Sequence, residues 1–394
     1  MLIWIGFSIS IFLLLYLSRR SLPLGMAAAA LSLAAFTLSP GEFLNALYVT
    51  FTDPSVILLT IIVGLIPMIG GALETSGQMD RLVANMRIGV RPFMALAPAL
   101  LGLLPMPGGA LLSAPLLERG AAETPTPIKM AANVWFRHAL LLIYPVGPTL
   151  IASAKIASLD VYTAIPALIP PFILSLLLGY WFLLRRVEGR VNYSGTGSLR
   201  ELLPPLLIIG AAPGFDLLTK SIAPLPYPEI GTITGVGLSL ILAVAIGRLG
   251  PAKIKTIFWK MRPWKFALII LAMFTFLNVF KISGAPESLA ALQLPPVILC
   301  VVVGFLLGLI TGRIQTPISI IVPIFLITYG AMSPVAFAIT YFAIYLGYLI
   351  TPIHPCVSVT VEYFSSSMPA FLRQMALPTT VAAVVTLIAG IFIL

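Results

Sequence analysis

The sequence predicts an all-α polytopic membrane protein made of two inverted repeats, each with five spans, one re-entrant helical hairpin and one broken helix. Three observations predict this fold class. First, 59% of the 394 residues are hydrophobic and only 9% are charged, and apolar runs of spanning length recur from end to end. Second, two apolar segments are interrupted at mid-length by prolines and glycines. Third, basic residues gather in alternate loops.

Ten spans are predicted from the apolar runs. The first, residues 2–18, lacks a basic n-region and a small-residue cleavage site, so we interpret it as a span and not a signal peptide. The predicted spans are at about 2–18, 22–38, 54–75, 130–154, 160–184, 201–219, 229–247, 264–282, 333–362 and 370–394.

Two further apolar segments, about 92–118 and 295–327, are predicted to be hairpins that enter and leave the membrane on one side. Each arm has about half of the ~20 residues that a spanning helix needs. The turns are Pro105-Met-Pro-Gly-Gly109 and Thr311-Gly-Arg-Ile-Gln-Thr-Pro317. Unpaired backbone at mid-membrane depth is tolerated only where protein covers it or it lines a cavity. The turns are therefore predicted to form a binding site.

The basic residues indicate the orientation. If Arg19 and Arg20 are cytoplasmic, 18 of the 23 Lys and Arg residues fall in cytoplasmic loops, and only Lys155, Lys220 and Lys281 lie outside. This predicts an integral inner-membrane protein with both termini outside and with hairpins that open from opposite faces. Because the basic residues are scattered over short loops, the net charge of +10 does not indicate a nucleic-acid partner.

Four landmarks recur in the same order in both halves, with spacings that agree within two residues. They are a glycine after a span, a glycine in the first hairpin arm, a proline in the second arm and a Pro-x-x-Pro break: Gly77, Gly102, Pro115 and Pro145–Pro148, then Gly284, Gly308, Pro323 and Pro352–Pro355. Five crossings per half invert the second half relative to the first, a plan of secondary transporters. A bundle that is merely kinked would not explain two half-length hairpins.

The sequence PMPGGALLSAP, followed by NVWFRH and YPVGP, resembles the uncharacterised membrane family catalogued as domain of unknown function 401. The resemblance covers most of the chain and is sharpest in 97–150. That family is grouped with the ion transporter superfamily, in which gluconate permeases and divalent-anion/sodium symporters are more distant. The Ser-Asn-Thr signatures of those symporters are absent from both turns here, which argues against their dicarboxylate substrate and sodium site.

The resemblance implies a homodimeric elevator transporter. We expect residues 1–90 and 187–290 to form a scaffold that carries the dimer interface. Residues 91–186 and 291–394 are expected to form the transport unit, which contains both hairpins and both broken spans, 130–154 and 333–362.

Few ionisable residues fall inside the predicted spans. The 13 carboxylates lie almost entirely in loops or at span ends, except Asp216, which could pair with Lys220 four residues later. The embedded groups are instead Arg137, His138, Arg313 and His354. The cysteines, Cys300 and Cys356, lack metal-ligand spacing and are interpreted as packing residues, so no metal site is assigned.

The predicted substrate-binding residues lie at the two turns and around the two breaks. Arg313 and the nearby half-helix N-termini favour an anionic ligand, although Arg313 could instead bind backbone carbonyls. Arg137 could face the site or extend to the membrane edge. The predicted set is Gly108, Gly109, Ser113, Asn133, Arg137, His138, Tyr144, Gly147, Thr149, Arg313, Gln315, Thr316, Thr351, His354 and Ser358.

We therefore predict a secondary active transporter, such as a symporter, for a small anionic solute, with H⁺ or Na⁺ as coupling ion and no cofactor. His138 and His354 are the candidate proton carriers, although a histidine in an apolar helix is more often a packing residue. Na⁺ could bind backbone carbonyls near Gly108, Gly147, Thr316 and Thr351. The alternatives are a cation/proton antiporter, a passive channel and an intramembrane enzyme. The missing central carboxylate disfavours the first, and no residue spacing supports an enzyme.

Overall fold

The computed structural model describes residues 1–18, 20–103, 109–191, 193, 197–222 and 224–394. This part of the chain is all helical, with 81% of residues in helices and no strands. Seven helical segments are long and apolar enough to cross a membrane, which fits a membrane-integral protein. They are Pro54–Thr75, Val161–Leu184, Leu199–Ile222, Glu229–Ile246, Pro263–Ile282, Pro334–Tyr363 and Met368–Ile393.

Within the described residues, ten α-helices lie in each half of the chain. The first half contains α1 (Leu2–Ser18), α2 (Leu22–Thr37), α3 (Pro40–Thr52), α4 (Pro54–Thr75), α5 (Gln78–Ala84), α6 (Val90–Gly102), α7 (Ala110–Gly120), α8 (Thr126–Ala139), α9 (Pro148–Ile156) and α10 (Val161–Gly179). The second half contains α11 (Leu199–Ile222), α12 (Glu229–Ile246), α13 (Pro251–Met261), α14 (Pro263–Ile282), α15 (Ala285–Ala290), α16 (Gly304–Thr311), α17 (Gln315–Tyr329), α18 (Pro334–Ile350), α19 (Pro355–Tyr363) and α20 (Met368–Ile393).

Three shorter helical turns extend these helices. A 3₁₀ turn, Leu140–Leu142, continues α8, and π turns continue α10 at Tyr180–Leu184 and precede α16 at Ile298–Val303. Proline accounts for several of the boundaries, because its fixed φ suits the first turn of a helix and its missing N–H prevents continuation from the preceding helix. Pro148 and Pro355 thus begin α9 and α19 after the two predicted breaks.

The remaining predicted spans are shorter than a full crossing or broken. Helix α1 has 17 residues and α2 has 16, and the span predicted at 130–154 is divided between α8 and α9. Helices α3 and α13 had no counterpart among the predicted spans. Ser39 accepts a hydrogen bond from the Glu42 N–H while the Glu42 side chain accepts from Ser39 N–H, a capping box that fixes the start of α3.

The landmark glycines occupy matching positions in the two halves. Gly77 and Gly284 both have φ of +72°, a left-handed conformation that costs other residues energy, and each precedes a short helix, α5 or α15. Gly102 of α6 and Gly308 of α16 let the first arm of each hairpin segment approach the backbone of α8 and α18, respectively. A Cβ atom would lie 1.8 Å from the Arg137 carbonyl oxygen or 2.2 Å from that of Ile344, respectively.

Contacts between the halves are reciprocal. Several contacts between a helix of the first half and one of the second are matched by a contact between the equivalent helices with the halves exchanged. The matched contacts are α2–α14 with α12–α4, α3–α14 with α13–α4, α7–α19 with α17–α9, and α8–α20 with α18–α10. The segments predicted as hairpins form helix pairs that pack together, α6 with α7 and α16 with α17. One large buried core connects the halves and includes the fully buried side chains of Trp135, Phe276, Phe280, Tyr341 and Tyr345.

Candidate functional site

A cavity of about 330 Å³ lies where the two helix pairs meet the two broken helices. Gly109 and Ala110 line it from the start of α7, and 312–315 line it from the turn before α17. Thr149 contributes from the first break, and 354–356 contribute from the second. A volume of this size suits a small solute. A larger cavity, about 460 Å³, lies among α16, α18 and α20 and has no charged side chain in its wall.

Five of the predicted substrate-binding residues line the 330 Å³ cavity: Gly109, Thr149, Arg313, Gln315 and His354. Gly108 and the rest of the first turn, 104–107, lie outside the described residues. The other predicted residues lie behind the wall or beside the breaks. The structure therefore brings together the hairpin segments and broken helices predicted from the sequence, but only some of the predicted side chains line the cavity.

Arg313 lies in the turn between α16 and α17. Gly312 has φ of +63°, and the Thr311 hydroxyl accepts a hydrogen bond from the Arg313 N–H at 3.3 Å and donates one to its carbonyl at 3.1 Å. The guanidinium donates to the Ser18 carbonyl at the end of α1, at 3.4 Å. Arg313 therefore lines the cavity and also binds a backbone carbonyl, as one sequence alternative expected.

A side-chain hydrogen bond connects the second turn to the first break. The Gln315 Nε2 atom donates to the Thr149 hydroxyl at 2.9 Å. Gln315 begins α17 and Thr149 lies in the first turn of α9, and these two helices pack on each other. Both side chains line the cavity, and their polar groups can instead bind a polar ligand.

Arg137 is buried inside the protein, with 4% of its surface exposed. Its guanidinium donates to the Ser113 hydroxyl of α7 at 3.3 Å and lies beside Cys356 of α19. Among the residues that the structure describes, no carboxylate forms an ion pair with Arg137 or Arg313. The site therefore holds two cationic side chains without acidic partners.

One turn before Arg137, the side chain of Asn133 connects α8 to α19. Its Nδ2 atom donates to the Thr360 hydroxyl at 3.0 Å, whereas its Oδ1 atom is buried without a hydrogen-bond partner. The Thr316 hydroxyl in the first turn of α17 is likewise buried and lacks a partner. Two unsatisfied polar groups thus lie close to the helix ends that form the site.

The two histidines are neighbours, although 216 residues separate them in the sequence. The ring centroids of His138 and His354 are 4.6 Å apart, and the Tyr348 ring is 4.0 Å from that of His354. The His138 Nδ1 atom is 2.7 Å from the Val134 carbonyl, whereas the His354 Nδ1 atom is buried without a partner. Cys356 lies next to this pair, a position that sequence reasoning missed by treating it as a packing residue.

Four predicted site residues have local roles at the breaks. Tyr144 donates to the Ile209 carbonyl of α11 at 3.2 Å, and Gly147 donates its N–H to the Tyr144 carbonyl at 2.9 Å. Thr351 accepts from a backbone N–H two residues later, and the exposed Ser358 donates to a carbonyl of the second break. The last three contacts hold the backbone of the breaks, the Tyr144 bond connects the first break to α11, and none of the four residues lines the cavity.

A separate charged cluster joins α9 and α10 to α11 and α12. Asp216 is fully buried and pairs with Lys220 at 3.0 Å, as its spacing predicts, and Tyr162 donates to it at 2.9 Å. Lys155 pairs with Glu229 at 3.1 Å. The buried carboxylates are therefore neutralised here and do not line the cavity that Arg313 lines.

Comparison with protein families identifies the chain over nearly its whole length. The family model described as "Protein of unknown function (DUF401)" matches residues 3–393. The chain belongs to this family. No curated protein matches the chain. Since the description of the DUF401 family names no substrate or activity, the function has to be argued from the site.

Proposed function

We propose that this protein is a secondary active transporter that moves a small anionic solute across the membrane by an elevator mechanism. The observation that supports this most is the cavity of about 330 Å³ shared by both helix pairs and both broken helices. Transporters with inverted repeats place their substrate sites at broken helices of this kind. We also propose that the protein belongs to the ion transporter superfamily, which its sequence resembles.

The charges around the cavity favour an anion. Arg313 lines the wall, Arg137 lies beside the lining residue Cys356, and no carboxylate is among the described lining residues. Helices α7 and α17 begin at the cavity, so their N-terminal N–H groups add positive potential. Charges inside a membrane protein are costly and usually functional. A bound anion would offset the cost of burying the two cations.

The packing of the helices supports an inverted repeat and a division into two units. The reciprocal contacts between halves are those that a two-fold relation produces. Helices of 1–90 and 187–290 pack on each other through α2–α14 and α4–α12, which we propose as the scaffold and dimer interface. Helices of 91–186 and 291–394 pack through α7–α19, α9–α17 and α10–α18, which we propose as the moving unit.

Coupling to H⁺ or Na⁺ completes the proposal. His138 and His354 lie next to the cavity and are the candidate proton carriers. Carbonyls at the breaks near Gly147 and Thr351 are the candidate Na⁺ ligands. The alternation of basic loops supports an inner-membrane location with both termini outside.

The test is anion uptake by proteoliposomes that contain the purified protein. A thermal-shift screen of sulfate, chloride, monocarboxylates and sugar acids, with and without Na⁺ and across pH, selects the solute, because a ligand that binds only the folded state stabilises it. We expect saturable uptake, reduced at least tenfold by Arg313→Ala and less by Arg313→Lys. Lys281→Ala, at an exposed position at the end of α14, is the matched control and should transport normally.

Three results would contradict the proposal. Full uptake by Arg313→Ala would remove this side chain from the binding site. A linear conductance without saturation would indicate a passive channel. Cation exchange against protons, with no anion uptake, would indicate an antiporter.

A further inference from the structure

Three metal-ligating side chains converge beside the cavity: His138 of α8, and His354 and Cys356 at the start of α19. One ligand atom from each lies within 4.8 Å of the other two. The two histidines are only 3% and 2% exposed. A bound metal with nitrogen and sulfur ligands at ~2.0–2.3 Å needs ligand atoms about 3.5 Å apart, so small side-chain rotations would complete the site.

The hydrogen bonds of the histidines indicate which nitrogen atoms are free. A carbonyl oxygen only accepts, so the bond to Val134 places a proton on the His138 Nδ1 atom, and in the neutral imidazole Nε2 is then unprotonated. This arrangement, with one ring nitrogen bound to a carbonyl, is typical of metal-bound histidines. The His354 Nδ1 atom is buried and has no partner, which is costly unless a ligand occupies it.

Two positive groups lie next to the Cys356 sulfur, which a metal would bind as a thiolate. Cys356 is the second residue of α19, so its sulfur lies at the positive end of that helix. The guanidinium of Arg137 lies beside it. Burial opposes ionisation of the thiol, and these two features offset part of that cost, so the thiolate would form together with metal binding.

We propose that His138, His354 and Cys356 form a binding site for a soft monovalent metal ion, Cu⁺. Thiolate and imidazole ligands suit Cu⁺ as well as Zn²⁺. Charge favours the monovalent ion, because Cu⁺ and the thiolate neutralise each other, whereas Zn²⁺ would add a net positive charge beside Arg137. The inference does not depend on the proposed transport function, since it concerns equilibrium binding to the purified protein.

The test is a titration of the reduced, detergent-purified protein with Cu⁺ held by the chromogenic chelator bathocuproine disulfonate, in ascorbate. We expect the protein to remove one Cu⁺ per chain from the chelator. Cys356→Ser should lower the affinity at least 100-fold, and His354→Asn at least tenfold. Cys300→Ser is the matched control, since Cys300 is the other free thiol, is buried before α16 and lies outside the cluster. Its affinity should equal that of the wild type.

Size-exclusion profiles and thermal unfolding show whether each variant is folded. The proposal is wrong if the wild type takes no Cu⁺ from the chelator, or if Cys356→Ser and Cys300→Ser bind it equally. Displacement of Cu⁺ by an equal concentration of Zn²⁺ would overturn the assignment of the ion. Arg313→Ala should still bind Cu⁺ even where it no longer transports, which separates this proposal from the previous one.

Discussion

Gly102 provides a sharp test of the packing between the first hairpin segment and α8. In Gly102→Ala, the added Cβ would lie 1.8 Å from the Arg137 carbonyl oxygen, about 1.6 Å short of the 3.4 Å at which ordinary contact begins. The obstacle is backbone, so no side-chain rotation relieves it. The clash can be relieved only if α6 moves away from α8 or if the backbone at Arg137 is displaced.

Two opposing effects set the magnitude. Alanine in place of glycine inside a helix stabilises by up to ~1 kcal/mol. Overpacking of a buried contact costs ~1–3 kcal/mol or more. Gly210 of α11 isolates the first effect, because a Cβ there meets nothing within 4 Å. We expect Gly102→Ala to be less stable than Gly210→Ala by about 2 kcal/mol or more.

The measurement is reversible unfolding from mixed micelles by increasing fractions of SDS, with the free energy extrapolated to zero SDS. Gly308→Ala, whose Cβ would lie 2.2 Å from the Ile344 carbonyl oxygen, should behave like Gly102→Ala. Equal stabilities for Gly102→Ala and Gly210→Ala would refute the close approach of α6 to α8.

Two further predictions use the charged residues outside the cavity. Asp216→Asn should destabilise the protein by about 2–4 kcal/mol in the SDS assay because it leaves Lys220 largely buried without its nearest partner, whereas Glu201→Gln, in a half-exposed ion pair, should cost less than about 1 kcal/mol. Equal losses of unfolding free energy in Asp216→Asn and Glu201→Gln would contradict a stabilising buried ion pair between Asp216 and Lys220. Hydrogen bonds from the Ser39 N–H and hydroxyl lower the pKa of Glu42 below its ordinary 4.5, so their stabilisation of α3 is present above about pH 4.5 and lost as pH falls through the lowered pKa. The protection factor for hydrogen exchange in the first turn of α3, which corrects for the pH dependence of the intrinsic rate, should fall at low pH in the wild type but not in Glu42→Gln. An equal fall in both proteins would contradict this prediction.

The order of the long helices could be predicted because each is an apolar run bounded by proline, glycine or charge. Helices α3 and α13 could not be predicted from hydropathy alone. They are short, carry charged residues such as Glu42 and Lys260, and gain stability from packing on α14 and α4. The local signals for them were present, namely the Ser39 capping box and the proline that begins each helix.

The elements of the candidate site could be predicted better than its side chains. The breaks could be predicted from their paired prolines, Pro145–Pro148 and Pro352–Pro355. Single prolines such as Pro67 and Pro323 nevertheless remain inside helices. Which side chains line the cavity depends on the packing of α7, α8, α17 and α19. Ser113 and Arg137 form a hydrogen bond with each other and do not line the cavity. Cys356, which its apolar sequence surroundings predict to be a packing residue, does line it.

The cluster of Asp216 and Glu229 has a further consequence for the proposed motion. Lys155 belongs to the proposed moving unit and Glu229 to the scaffold, and Tyr162 and Asp216 are divided in the same way. A displacement of one helical turn, ~5.4 Å, would separate both pairs. Under the proposed mechanism, the conformation in which both pairs are formed would be one end of the motion. Separating the Lys155–Glu229 ion pair and the Tyr162–Asp216 hydrogen bond would then contribute to the barrier between the two ends, whereas the described cavity wall contains no ion pair to break.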